Sequence, residues 1–158
     1  MNSHVNAIPK EARPFQGQRA GLVTRVAAAG VDAAVVAVGL LAAYLGLVAV
    51  VFLFSRSDFE VPRPAVWIDV GVGTVLMTLY LATAWHGGGR TYGCLVMGLR
   101  VVDRHGRSPG WVTALLRALL TVAFPLGVVW VAVSRTNRSV QDLVLRTSVI
   151  YAWDVRPR

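Results

Sequence analysis

The chain reads as an α-helical integral membrane protein with two transmembrane helices, a third, broken apolar segment, and a small cytoplasmic β-hairpin-like element. Three observations lead there. Of the 158 residues, 55% are hydrophobic and only 15% charged, where a soluble domain carries about 25% charge. The mean hydropathy is +0.56. Two stretches, 26–54 and 65–85, reach the roughly 20 apolar residues that a bilayer crossing takes.

Residues 1–19 form a basic arm with Pro9, Pro14 and Gly17, too polar to bury a core, so disorder is expected there. The Ala27-Ala28-Ala29 run mimics a signal cleavage site, but no apolar region precedes it, so no cleaved signal is expected. The formal charge of +8 is unevenly spread. Lys10, Arg13, Arg19 and Arg25 against Glu11 leave +3 at the start, whereas Arg56 and Arg63 balance Asp58 and Glu60 in the first loop. Arg90, Arg100, Arg104 and Arg107 against Asp103 leave +3 in the second loop, 86–110. The tail from Ser134 has five Arg against Asp142 and Asp154, again +3. Basic segments stay cytoplasmic, which predicts a cell-membrane protein with its N-terminus and second loop inside and its first loop outside. A pI near 11 invites a nucleic-acid reading. Juxtamembrane arginines account for it better through orientation and contact with anionic lipid headgroups, so no nucleic-acid partner is expected.

Helix one, about 22–54, carries Arg25, Asp32, Gly39 and Gly46 at a strict seven-residue interval. Seven residues are almost two turns, so the four share a stripe, and small residues on a stripe permit close approach of another helix. Asp32 is therefore expected to face protein. A carboxylate in hydrocarbon costs about 2.5–3.5 kcal/mol on insertion scales, so it needs a partner, a wet cavity or a proton. Arg117, in segment three, or Arg25 is the simplest partner.

Helix two, about 65–85, follows Pro64 and is bracketed by Trp67 and Trp85. That spacing is roughly 27 Å of helix, close to the hydrocarbon thickness, so both Trp read as interface anchors. Asp69 sits near the start of this helix, where a carboxylate suits the helix N-terminus, and an ion ligand is the sharper alternative.

Segment three, 111–133, has a second pair of belt-spaced tryptophans, Trp111 and Trp130, which suggests a full crossing. Two features oppose it. A crossing would export a tail of net +3, and Phe124-Pro125-Leu126-Gly127 would break the helix near its middle. A re-entrant pair of short helices keeps both ends inside.

Between these segments, Gly87 to Gly89 end helix two, and 91–97 suits a short interfacial helix. Residues 99–103 read as a strand followed by a turn, and 146–153 are also rich in strand formers. Pairing of the two would require a common membrane face. The glycine run lacks the lysine ending and preceding strand of a phosphate loop. The single cysteine, Cys94, allows no internal disulfide, and His4, His86 and His105 lack ligand spacing. Neither metal, cofactor nor catalytic set is expected.

Three stretches together resemble one known family. They are Arg25 with Asp32, the run Thr91, Gly93, Gly98, Leu99, Arg100, Val101, Val102, Asp103 and Gly106, and the late Asp142-x-x-x-x-Thr147-x-Val149. Their order is similar to that of the RDD family, membrane proteins named for one Arg and two Asp, and the resemblance covers roughly 20–153. It makes Asp142 the counterpart of the second Asp and leaves 154–158 as a C-terminal end. Cys94 stands where the family commonly has Lys, so a role resting on that Lys does not carry over.

Such a resemblance implies transport of a ligand or an ion, with cation/proton exchange as one proposal. Asp32 would carry the ion or proton, Arg25 would tune it, and Asp142 would be a cytoplasmic partner. Two crossings are few for alternating access, so a homo-oligomer would be required. The alternative is a non-enzymatic accessory or scaffold subunit of a membrane complex, with Asp32 structural.

Overall fold

A computed structural model describes residues 13–55, 59–128, 130–134 and 138–153. Helix α1 spans Leu22–Phe54, an Ala/Val/Leu-rich run free of proline, and α2 spans Val66–Gly88 immediately beyond Pro64. Both are long and apolar enough to cross a bilayer, the most apolar windows averaging 2.7 and 1.5 in hydropathy. Gly89 ends α2 in the left-handed conformation, φ 71°, the usual glycine stop.

A short helix, α3 (Tyr92–Val96), and strand β1 (Leu99–Val102) follow. Segment three is broken where expected. Helix α4 (Trp111–Ala123) stops at Phe124, whose backbone is pushed out of the helical region by the following proline. A 3₁₀ turn, Pro125–Val128, leads into α5 (Trp130–Val133), α6 (Val140–Val144) and strand β2 (Ser148–Tyr151).

β1 and β2 pair antiparallel, Leu99 opposite Tyr151 and Val102 opposite Ser148. Everything between them therefore leaves and returns to one end of the bundle, and the 13 residues of α4 reach only about 20 Å. Segment three thus begins and ends at the same end of the bundle. The two-stranded element expected from 99–103 and 146–153 is present, its strands joined by the whole of segment three and not by a turn. The arm joins it too. Gly17 N–H donates to Tyr151 O at 2.8 Å, Tyr151 N–H to Gln18 O at 2.9 Å and Ala20 N–H to Val149 O at 2.9 Å. Residues 13–19 are thus ordered, against the expectation of a disordered arm, because β2 offers a free backbone edge that composition does not register. The rest of that expectation, 1–12, and the end at 154–158 lie outside the described residues.

Alternation sorts the strands. Leu99, Val101 and Val149 enter the core with Ala20, Ala28, Leu81, Ala82, Trp85, Ala114 and Ala118. Alanines here let α1, α2 and α4 approach closely around the sheet.

Gly39 and Gly46 are exposed, and a Cβ on either would meet nothing within 4 Å, so of the two uses of the stripe, within the bundle or against a partner helix, the first is not made within this chain. The less exposed row on α1 runs through Asp32, Val36, Leu40, Tyr44 and Val48. A four-residue repeat overshoots one turn by about 40°, whereas seven residues fall short of two by about 20°, so the rows diverge beyond Asp32. Trp85 is no interface anchor. It is 6% exposed, whereas Trp67, Trp111 and Trp130 are 75%, 44% and 49% exposed.

Candidate functional site: two buried carboxylates and a cavity

Asp32 is buried one face deep in α1. Its Oδ1 accepts from Tyr80 Oη–H at 2.7 Å and from Gly93 N–H at 2.8 Å, and its Oδ2 from Thr91 Oγ1–H at 2.6 Å. One carboxylate thus ties α1 to α2 through Tyr80 and to the start of α3 through Thr91 and Gly93. Each partner is held in turn. Thr91 caps α3 by accepting from Cys94 N–H at 3.1 Å, and Tyr80 Oη accepts from Tyr92 N–H at 3.0 Å. Gly93 is there for space as well, since a Cβ would lie 1.9 Å from Ala28 O.

Asp142 organises the second centre. Arg25 Nη1 donates to its Oδ2 at 2.6 Å. Arg117 Nη1 lies 2.6 Å from Oδ1, a close ion contact whose angle falls short of a directed hydrogen bond. Arg117 also donates to Thr147 Oγ1, and its guanidinium sits 5.2 Å from the Trp85 ring centre. Ser139 and Asp142 form a reciprocal capping box that starts α6 and fixes the carboxylate's position. Burial works against ionisation of Asp142. The Arg117 and Arg25 guanidiniums outweigh it and hold the carboxyl below its ordinary value.

Arg25 is therefore paired with Asp142. Pairing of Asp32 with Arg117 or Arg25 is not present, because both guanidiniums converge on Asp142 and the Asp32 oxygens take neutral donors. Asp69 stays apart, exposed in the first turn of α2 and about 24 Å along that helix from Trp85. Sequence reasoning missed Tyr80, Thr91 and Gly93 as Asp32 ligands, and Gln141 and Thr147 as neighbours of the second centre. Ser139-x-x-Asp142 was a readable capping signature, and it marks Asp142 as a helix start.

A cavity of about 90 Å³ lies between the two centres, lined by Arg25, Asp32, Trp85, Arg117 and Gln141 among others. Among the described residues Trp85 Nε1, Arg117 Nε and Gln141 Oε1 are buried without a hydrogen-bond partner, two donors and one acceptor at its wall. About 10–15 Å³ suffices for one water, so there is room for one beside these polar groups, although most of the lining is apolar. Gln141 Nε2–H donates to Phe124 O at 2.9 Å, so the break in segment three is part of the wall. No group of three His, Cys, Asp or Glu side chains gathers into a metal site among the described residues.

No curated protein and no solved structure matches the chain significantly. A family model, that of the RDD family, matches residues 19–146, which include Arg25, Asp32, Arg117 and Asp142. The chain belongs to the RDD family of membrane proteins.

Proposed function

We propose that this protein is a non-enzymatic transporter of the cell membrane, exchanging a cation for protons, with Asp32 as the group that takes up and releases charge. The observation that supports this reading is the cavity: within a mainly apolar lining, a buried carboxylate shares the space with two arginines and three unpartnered polar atoms. Buried ionisable groups in a membrane bundle that face such a space are typical of proton and ion pathways. Asp142 is already committed to Arg25 and Arg117, so Asp32 is the carboxylate left facing the cavity without a cationic partner. The arginine-rich segments favour cytoplasmic N- and C-termini. The outer half of α1 exposes Leu41, Leu45, Phe52 and Leu53, apolar surface that suits lipid or a second copy of the chain in a homo-oligomer.

The test is flux. Purified protein is reconstituted with a trapped pH dye, and Na+, K+ and Li+ pulses are compared for wild type and Asp32→Asn. Ion-dependent proton flux lost in a folded variant supports the proposal. Silence of well-reconstituted wild type with all three ions overturns it.

A second reading, an accessory or scaffold subunit, is favoured by one specific observation. Three donors from α2, α3 and the residue before α3 already engage the Asp32 oxygens, as in a structural clamp. Under that reading Asp32→Asn lowers thermal stability in detergent and changes no flux.

A further inference from the structure

Away from the cavity, the outer face of the sheet carries a separate basic groove of about 640 Å³. Among the described residues, Arg19, Arg104, Arg138 and Arg146 line it with one carboxylate, Asp103, and Leu143. The four arginines come from four places in the chain: the arm, the turn after β1, the approach to α6 and the turn before β2. Arg19 lies opposite Ile150, so its side chain stands on the face of β2 that does not enter the core.

Three features distinguish this groove from an ordinary solvated basic surface. Asp103 is engaged within its own turn, Oδ1 accepting from His105 N–H at 2.7 Å and Arg107 N–H at 3.0 Å, with His105 Nδ1 3.5 Å from Oδ2. Its charge is thereby drawn toward the turn and away from the arginines. Arg138 Nε is buried and lacks a hydrogen-bond partner among the described residues. Arg146 has φ 52°, the one non-glycine residue with positive φ among those described. A turn needing that conformation alone would be better served by Gly or Asn, so an arginine there points to the side chain as the reason.

Planar guanidiniums converging from several directions match the oxygens of a phosphate, which they grip in pairs of parallel hydrogen bonds. We propose that this groove binds a phosphate-bearing anion. The same chemistry is offered by the headgroup of an anionic phospholipid and by a soluble phosphate compound. The site is independent of the flux reading above, because none of its arginines lines the cavity.

The experiment uses the full chain in nanodiscs of purely zwitterionic lipid, titrated with inorganic pyrophosphate by calorimetry. A parallel arm measures retention of phosphatidylglycerol on the detergent-purified protein by native mass spectrometry. Each arm compares wild type with Arg104→Gln and Arg138→Gln as single variants, with Arg146→Asn, which keeps a residue tolerant of positive φ, and with Arg107→Gln, a control that likewise removes one positive charge but outside the groove. At least tenfold weaker binding in the groove variants, with Arg107→Gln within twofold of wild type, is the expected result. Pyrophosphate binding identifies a soluble ligand, and retention of phosphatidylglycerol alone identifies the lipid. Absence of binding in both arms overturns the proposal, as does equal weakening by Arg107→Gln, which would reduce the effect to net charge.

Discussion

Replacing Gly93 by alanine tests the Asp32 clamp at its tightest point. The new Cβ would lie 1.9 Å from Ala28 O, and real Cβ contacts stay beyond 3.0 Å, so α3 must retreat from α1 by more than an ångström. A retreat of that size stretches the 2.8 Å bond from Gly93 N–H to Asp32 to roughly 3.9 Å, past the limit of a hydrogen bond. Overpacking costs about 1–3 kcal/mol. A lost hydrogen bond to a buried charged group costs about 1.5–3 kcal/mol more, so the expected destabilisation is about 2.5–6 kcal/mol. Cys94 provides the assay, being the chain's single cysteine, buried, and adjacent to the perturbed residue. Reaction with a thiol-reactive fluorophore during a thermal ramp in detergent reports its exposure. Gly93→Ala should expose Cys94 several degrees earlier, while Gly87→Ala, which meets nothing within 4 Å, should not. An unchanged midpoint for Gly93→Ala would refute both the close approach and the clamp built on it.

Other perturbations address the remaining parts. Asp142→Asn leaves two buried guanidiniums without their carboxylate and should cost about 3–5 kcal/mol by the same thiol assay. Because the Asp142 carboxyl is held below its ordinary value of 3.8, its contribution is complete above that pH and is lost as pH falls through the folded value. An acid-unfolding limb below 3.8 should therefore be present in wild type and reduced in Asp142→Asn, measured by tryptophan fluorescence. Thr91→Val removes both a donor to Asp32 and the cap of α3, and should cost about 1–3 kcal/mol in thermal unfolding. In a Cys94→Ser background with the proposed orientation, Val61→Cys should react with an external impermeant reagent and His105→Cys should not. The reverse pattern would invert the topology.

What the sequence made legible was what repeats or punctuates. Uninterrupted apolar runs marked α1 and α2, Pro125 marked the break in segment three, and β-branched stretches marked both strands. The Arg25–Asp142 pair was reachable because both residues carry charge that burial obliges to be matched. The partners of Asp32 were not, because Tyr80, Thr91 and Gly93 are common residues whose role lies in a tertiary approach and not in local pattern. Trp85 misled through spacing, which cannot distinguish a ring facing lipid from one packed on a guanidinium. The glycine stripe meets no helix of this chain, since a seven-residue repeat tracks a neighbouring helix only at a shallow crossing angle. Order in the arm left no compositional trace, since its bonds to β2 are made by backbone atoms.

The central position of β2 has a consequence for biosynthesis. It lies between the arm and β1, pairing with Arg19 on one side and with Arg100 on the other through Ile150, yet it leaves the ribosome after both of them. Until residues 148–151 emerge, two earlier segments wait with open backbone edges, and the core face of Leu99 and Val101 lacks its cover. Insertion of α1 and α2 can be finished well before this cap closes. A premature stop ahead of Ser148 would thus release a product with two inserted helices and exposed strand edges, the kind of partly folded species that proteases remove.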